Sequence, residues 1–512
     1  NIVLHALSAI MLWRVLLRLK ISGAWLAAAL FVVHPVCVAS VDWIAERKNV
    51  LSLFFYFAAL LLYLRFELEQ RKRFYWSALG LFLLALLSKS SVVVLPMVLL
   101  LCVWWLRQKL TWQNIRHSVP FFGLAFVMGL VTVWFQLHEV LLGEAKETDT
   151  ILTRVLGGSW ALWFYLGKIL WPLKLSMIYP QWDIDETKWI SYLPAALWLS
   201  LLVVFWSYRR TWGRPFLFAF GYFTAALLPV LGFFDMNFLL FSQVADHLQY
   251  IAIPGIIVLA VGLSAELFRR VSQARAKTSS FPRYFPRITG AIVVLILAIL
   301  TFRQSSTYQD EETLWRDTIQ KNPTAWVGYN NLADRLAELH RFDEAANYYR
   351  QALRLKPNHA QTHNNLGNIL HLLGRFDEAI DQFLDAIQTK PELAQAHHNL
   401  GIAYYRKKEY AKALDCYKKA IQLKPNYGQA HFSAGNCELR LDHLDAALNH
   451  YFTAERYIPN NPDVPYNIGI ILSVRGQTNH AVRFLQTALR LDPRHKEAQA
   501  ELQLLLANTD RR

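Results

Sequence analysis

Two textures of apolar and polar positions divide the chain. Up to about residue 303, long apolar runs alternate with short polar breaks. A bilayer-spanning helix needs about 20 mostly apolar residues. Ten runs are candidates, near 1–17, 21–40, 49–65, 74–88, 91–106, 119–137, 189–207, 215–232, 248–268 and 288–303. From residue 304 to 512 the apolar positions are spaced as on the faces of water-soluble helices. The pattern predicts an all-α protein with one domain in a bilayer and one in water.

The second half repeats. Prolines recur at Pro323, Pro357, Pro391, Pro425, Pro459 and Pro493, each 34 residues after the last. That is the period of tetratricopeptide repeats, which pair two helices per unit and stack into an α-solenoid. Leu366, Gly367, Ala379, Phe383 and Ala386 of one unit match Leu400, Gly401, Ala413, Tyr417 and Ala420 of the next. Small residues let helices approach, aromatics fill the space beside them, and proline stops the second helix. The predicted divisions are 1–303 for the multi-pass domain, 304–325 for a connecting half repeat, 326–493 for five repeats and 494–512 for a capping helix and tail.

Such arrays bind extended peptides on their concave face. Asn331, Asn365, Asn399 and Asn467 recur on first helices, with Ser433 breaking the series. An amide both donates and accepts, so this ladder is a candidate peptide grip. The plain alternative is hydrogen bonding within the solenoid. His363, His397 and His431 also stand 34 apart, where a packing side chain is usual. Metal ligands need closer spacing, so no metal is expected.

Charge refines the topology. The formal net charge is +15, but the basic residues cluster in short loops, which argues against nucleic acid. Nineteen Lys and Arg occupy alternate loops: Arg14–Lys20, Arg65–Arg73, Arg107–Arg116, Arg209–Arg214 and Arg269–Arg287. The intervening loops hold eight: Arg47, Lys48, Lys89, Lys146, Arg154, Lys168, Lys174 and Lys188. The positive-inside rule makes the first set cytoplasmic, and places 41–48, 88–91, 138–188, 233–247 and everything after about 303 outside. Within 138–188 an apolar, Trp-rich segment suits a helix lying in the headgroup region. A short span is the alternative. Cys37, Cys102, Cys416 and Cys437 form no CxxC pair, and buried free thiols are expected. The chain opens on Asn1 inside an apolar run, with neither Met nor signal peptide, so a natural N-terminus upstream is expected.

The stretch "HPVCVASVDWIAERKN", residues 34–49, interrupts this texture. One charge at mid-bilayer costs about 2.5–3.5 kcal/mol. Glu46, Arg47 and Lys48 together must therefore sit at the outer surface or in a polar cavity, and Pro35 marks a place for the helix to break.

With "LLSKSSVVVLP", "ALWFYLGKILWPLKLSMIYP" and "VADHLQYIAIPG", this stretch resembles the transmembrane-and-TPR-containing protein family over nearly the whole chain. The resemblance implies a GT-C type membrane glycosyltransferase, transferring a mannose-like sugar from a polyprenyl-phosphate donor to a protein held by the repeats. Two departures stand out. Family members usually have His and Glu where this chain has Cys37 and Ala39; Asp42, three residues on, shares the helix face of the missing acid. The family's main catalytic acid lies in a first outer loop, which would precede Asn1.

Such a reaction needs a carboxylate base and cations for the leaving phosphate. The resemblance then makes Asp42, Glu46 and Asp246 candidate catalytic acids. Arg47, Lys48 and Lys89 become candidate phosphate ligands, and His34, Lys168, Trp171, Tyr179 and His247 candidates for a sugar or lipid groove. Each has a plain alternative: solvated or headgroup-paired charges, a helix cap at Asp246–His247, interfacial aromatic anchors. No cofactor is expected beyond the lipid donor. The competing function is a non-enzymatic membrane scaffold whose repeats recruit proteins. The expected setting is a bacterial inner membrane with periplasmic repeats, the alternative an endoplasmic reticulum membrane with lumenal ones.

Overall fold

Apolar runs of the first half become helices in the order α1 Ile2–Arg18, α2 Ala24–Val32, α3 Val38–Val41, α4 Arg47–Glu69, α5 Lys72–Ser88, α6 Leu95–Arg107, α7 Trp112–Phe135, α8 Ile151–Leu170, α9 Leu193–Ser207, α10 Gly213–Leu227, α11 Ile253–Arg275 and α12 Phe285–Ser305, followed by the polar α13 Glu311–Lys321. The computed structural model describes residues 1–136, 138, 150–233, 237–275 and 285–509. Lys146, Lys277 and Arg283 of the loop analysis lie outside the described residues. No strand occurs among the described residues, as the all-α reading requires.

Among the described residues, six stretches are long and apolar enough to cross a bilayer: Ile44–Glu69, Ser90–Arg107, Trp112–Phe135, Trp189–Ser207, Gly213–Val230 and Arg287–Tyr308. A pair bent by 50°, Ala24–Val32 with Pro35–Val41, makes a seventh if it is one span. The break falls where Pro35 led it to be expected. Three of the ten sequence candidates do not meet this measure. Runs 1–17 and 74–88 fall in helices of 17 residues, about 25 Å long against a hydrocarbon core of about 30 Å. Run 248–268 becomes α11, which begins only at Ile253 and runs on into the polar "RRVSQAR".

Interior and lipid-facing surfaces separate cleanly. Tyr56, Phe57, Tyr63, Phe82, Phe121 and Phe223 are fully enclosed. Phe126, Leu130 and Trp134 of α7 and Leu295, Ile296 and Phe302 of α12 are exposed. Apolar surface of this extent belongs in lipid. One end gathers the arginines: Arg18 pairs with Glu69 at 3.8 Å, Arg65 with Glu69 at 3.1 Å, and Arg107 with the buried Glu67 at 2.7 Å. Arg214 donates to the Trp105 carbonyl at the same end. Helix α8 stays at the opposite end. Arg154 reaches the Phe233 carbonyl at 3.4 Å, Trp163 donates to the Pro194 carbonyl at 3.0 Å, and the Ile169 carbonyl accepts from His34. It lies along that end rather than crossing, as its Trp-rich sequence suggested.

The chain divides into two compact units, Asn1–Ala325 and Trp326–Arg512. The half repeat 304–325 therefore packs with the first unit, where sequence had made it a separate connector. The second unit stacks α14 Trp326–Glu338, α15 Phe342–Leu355, α16 Ala360–Leu372, α17 Phe376–Thr389, α18 Ala394–Arg406, α19 Tyr410–Leu423, α20 Gly428–Arg440, α21 Leu444–Tyr457, α22 Asp463–Val474, α23 Thr478–Leu491 and the capping α24 Lys496–Thr509. A Cβ added at Gly367, Gly401 or Gly435 would stand 2.5, 2.6 or 2.7 Å from the ring of Phe383, Tyr417 or Tyr451. In the three middle repeats the 34-residue period is thus a ring seated on a bare backbone; the first repeat has Ala333 at the glycine position and the last sets Leu485 against Gly469. Each ring contributes about 1.5–3 kcal/mol by burial.

Candidate functional site

Between the bend and α4 the chain folds back on itself at the end away from the arginines. His34 caps the turn Pro35–Cys37: its Nδ1 accepts from the Val36 N–H at 3.3 Å, and its Nε2–H donates to the Ile169 carbonyl at 3.0 Å. One ring nitrogen accepts while the other donates, so the buried ring is neutral with its proton on Nε2. Pro35 suits the first position of the turn, where no N–H is needed.

Glu46 is buried, 5% exposed. Lys48 Nζ and Lys89 Nζ each lie 3.7 Å from it. Lys89 follows the last turn of α5 in extended backbone and also donates to Asn49 Oδ1. Asn49 Nδ2 donates to Ser40 Oγ at 3.3 Å and to the His247 carbonyl at 3.4 Å. Asn49 therefore ties three distant segments together. Burial pulls the Lys89 ammonium down to about 8, with Glu46 opposing that pull.

Asp246 opens the turn Asp246–Leu248 and is 3% exposed. The Tyr179 hydroxyl lies 3.0 Å from each of its oxygens. That hydroxyl accepts from the Ser176 N–H at 3.1 Å, and the Tyr179 N–H donates to Ser242 Oγ at 3.1 Å. Burial pushes the Asp246 carboxyl up to about 7, against the Tyr179 hydroxyl and the ammoniums of Lys168 and Lys321. The next residue, His247, is edge-on to Phe238 at 5.0 Å and to Trp43 at 6.3 Å. Burial, then Lys89 and Lys48, pull it down to about 3, so it stays neutral. A carboxyl that changes charge near neutrality, beside a phenol and ammonium groups, is equipped for proton transfer.

The fold thus brings His34, Glu46, Lys48, Lys89, Lys168, Tyr179, Asp246 and His247 to one end of the first unit. Lys168 donates to the Leu173 and Lys174 carbonyls at 3.0 and 3.1 Å and lies over the Tyr179 ring at 5.1 Å. Three candidates lie at the same end but outside this cluster. Trp171 is 72% exposed just after α8 and lines no groove with Tyr179. Arg47 is exposed and shares a surface cavity with Asp42, Ser305 and Tyr308, not the Lys89 cluster. Asp42 accepts from Ser305 Oγ and so fastens the end of α12. Sequence reading missed Asn49, Ser40, Ser242 and Lys321. Asn49 alone left a local signal, a strong amide entering an apolar helix.

In the second unit three of the four asparagines bond between repeats, and Asn331 bonds within its own helix. Asn365 donates to Asp334 at 3.1 Å, Asn399 to Asn364 at 2.9 Å and Asn467 to Asn436 at 3.2 Å, while Asn331 Oδ1 accepts from Asn330 at 3.3 Å. Their amides thus serve the solenoid itself. His363, His397 and His431 each donate from Nε2 to the carbonyl of the proline six residues earlier, at 2.8, 2.9 and 3.1 Å. In the capping helix α24 Gln499 Nε2 does the same to Pro493 at 2.7 Å. These histidines join one repeat to the next. Among the described residues no group of three metal-ligating side chains occurs, and the four cysteines are unpaired.

Tetratricopeptide-repeat family models match residues 330–394 and 394–427. The chain is 23% identical over 391 residues to the human protein O-mannosyl-transferase TMTC3, an alignment covering 69% of this chain and 41% of the relative. It therefore spans about two fifths of that protein's length. Among solved structures, YrrB, a TPR protein with an unusual peptide-binding site, is 24% identical, with 36% of this chain and 96% of that one covered and a TM-score of 0.33. PilF of Pseudomonas aeruginosa is 21% identical, with 40% and 93% covered and a TM-score of 0.35. The second unit is thus an array of tetratricopeptide repeats, and the chain as a whole, apolar spans followed by repeats, is similar to a TMTC-type, TPR-containing membrane protein.

Proposed function

We propose that the protein is a membrane glycosyltransferase, moving a mannose-like sugar from a polyprenyl-phosphate donor to a Ser or Thr hydroxyl of a polypeptide held by its repeats. The observation that carries this reading is the convergence of two buried acids, Glu46 and Asp246, with Lys48, Lys89 and Lys168 at one end of the spans. The likeness to a protein O-mannosyl-transferase supports it. The acceptor oxygen bonds to the anomeric carbon as the bond from that carbon to the phosphate oxygen breaks. The hydroxyl proton passes to a carboxylate, and the departing lipid phosphate keeps the electron pair. Asp246 is the acid in this chain best suited to receive or relay that proton. Lys89 and Lys48 meet the phosphate charge. No cofactor is needed.

The setting proposed is a bacterial inner membrane with periplasmic repeats. One observation favours the scaffold reading: Lys89 and Lys168 already have protein partners, as they would in a purely structural cluster. Transfer of labelled mannose from polyprenyl-phosphate to a Ser/Thr peptide separates the two. The intact protein should label the peptide, and Asp246→Asn should lower the rate at least about 100-fold, the scale of a lost general acid–base group. Equal labelling by Asp246→Asn, or none by the intact protein, would favour the scaffold.

A further inference from the structure

The loop Trp171–Pro180 has no regular structure of its own, yet it supplies the hydroxyl on Asp246. Three parts of the chain hold its backbone. Lys168, in the last turn of α8, takes the carbonyls of Leu173 and Lys174. Ser242 accepts from the Tyr179 N–H. The remaining grip comes from the half repeat. Lys321 Nζ donates to the Leu175 carbonyl at 2.7 Å, across 146 positions of sequence, and Asn322 Nδ2 to the Ile178 carbonyl at 3.4 Å. Asn322 is 3% exposed, and its Oδ1 accepts from the Thr324 N–H and hydroxyl at 3.2 and 2.8 Å. Its side chain is therefore held from both sides. Leu175, Met177, Ile178 and Tyr179 are all buried beneath this contact.

The geometry points to α13 as a working part of the site: Lys321 is a positioning residue that, with Asn322, straps the Leu175–Tyr179 loop so that the Tyr179 hydroxyl stays on Asp246. This rests on the reading of Asp246 as a group that handles the reaction's proton. The plain alternative is that Lys321 only completes an i,i+4 pair with Asp317, 2.7 Å away. Such a pair would stiffen α13 and leave the loop indifferent. A helix of repeat type has instead been taken into the membrane unit. Its C-terminal cation takes the Leu175 carbonyl of the loop, and the same charge acts on Asp246. The first solenoid helix, α14, begins a few residues later at Trp326.

The test uses the intact protein in lipid nanodiscs, as Lys321→Met, Lys321→Arg and Asp317→Asn, with amide hydrogen exchange and mannose transfer read in parallel. Lys321→Met should raise exchange of the 175–179 amides and lower kcat about tenfold, the effect of losing a hydrogen bond from a charged donor. The KM for the lipid donor should hold within about twofold, because the strap bears on the proton-handling group and not on donor binding. The rising limb of the pH–rate profile should move to higher pH, because a cation near Asp246 is gone. Lys321→Arg should restore most of each effect, and Asp317→Asn should reproduce none. Unchanged exchange and kcat in Lys321→Met would overturn the strap, as would the full effect appearing in Asp317→Asn. An intact protein that transfers no sugar removes the transferase reading. The exchange result then decides the strap alone.

Discussion

At the scale of single residues, two groups set the expected chemistry. Asp246 must be ionised to take a proton, and burial raises its carboxyl to about 7. Lys89 must be charged to meet a phosphate, and burial lowers its ammonium to about 8. Activity should therefore climb as pH rises through about 7 and fall as it passes about 8. A plot of kcat/KM against pH, which reports the free enzyme, should be a narrow bell. A flat profile between pH 6 and 9 would contradict both assignments. The Glu46–Lys89 pair permits a cleaner separation of folding from function. Removing one partner of a buried pair leaves a bare charge and costs about 3–5 kcal/mol, while neutralising both is often tolerated. Glu46→Gln and Lys89→Met should each lower the thermal midpoint. The double variant should regain most of the lost stability and none of the transfer. Stability losses that simply add would mean the two side chains do not act as a pair. Charged candidates such as Glu46 and Lys89 were legible because charge in an apolar stretch is a local anomaly. Lys321 was not, because nothing in "RDTIQKNP" reveals a contact with Leu175.

Among elements, legibility followed the range of the forces. The repeats were plain from proline spacing and from the Gly–aromatic pairs, which depend on residues 16 apart. The break at Pro35 and the surface course of α8 were also foreseen, each from its own local sequence. Length and apolarity pass seven of the ten predicted spans, yet the 17-residue α1 and α5 also run from the arginine end to the acid end. Arg18 pairs with Glu69 while Asn1 reaches the Trp43 carbonyl, and α5 leads from Lys72 to Lys89 beside Glu46. The histidines 34 apart show how structure completes a pattern that sequence only registers. A donor six residues past the proline takes its carbonyl at four of the six prolines, and Gln499 serves there as well as His397, whereas Pro465 after Pro459 has no side-chain donor to offer. The ring-on-glycine contact gives the sharpest element-level prediction. Gly401→Ala would put a methyl 2.6 Å from the Tyr417 ring. Overpacking of this kind costs about 1–3 kcal/mol, and solenoid stability is shared between neighbouring repeats. The solenoid's melting midpoint should fall, and adding Tyr417→Leu, which imitates the Gly469–Leu485 pair of the last repeat, should restore part of it. No change in melting would mean that repeats do not pack through this contact.

For the whole molecule, side of the membrane decides whether any of this chemistry is open to a tethered polypeptide. The end of α12 is fastened at Ser305 to Asp42, and α13 grips the loop beside Asp246, so the first unit ends on the side of the acids and lysines. From Trp326 onward the chain should then stay in that compartment, with the arginine-rich loops across the bilayer. Labelling of single cysteines in sealed vesicles by a membrane-impermeant maleimide tests this directly. The background carries Cys416→Ser, because Cys416 is the one native thiol not buried among the four. Lys48→Cys and Lys419→Cys should react from the same side, and Lys72→Cys only after the vesicles are opened or inverted. Labelling of Lys419→Cys from the side of Lys72→Cys would put the solenoid across the bilayer from the lysines and end the proposal that it delivers the acceptor.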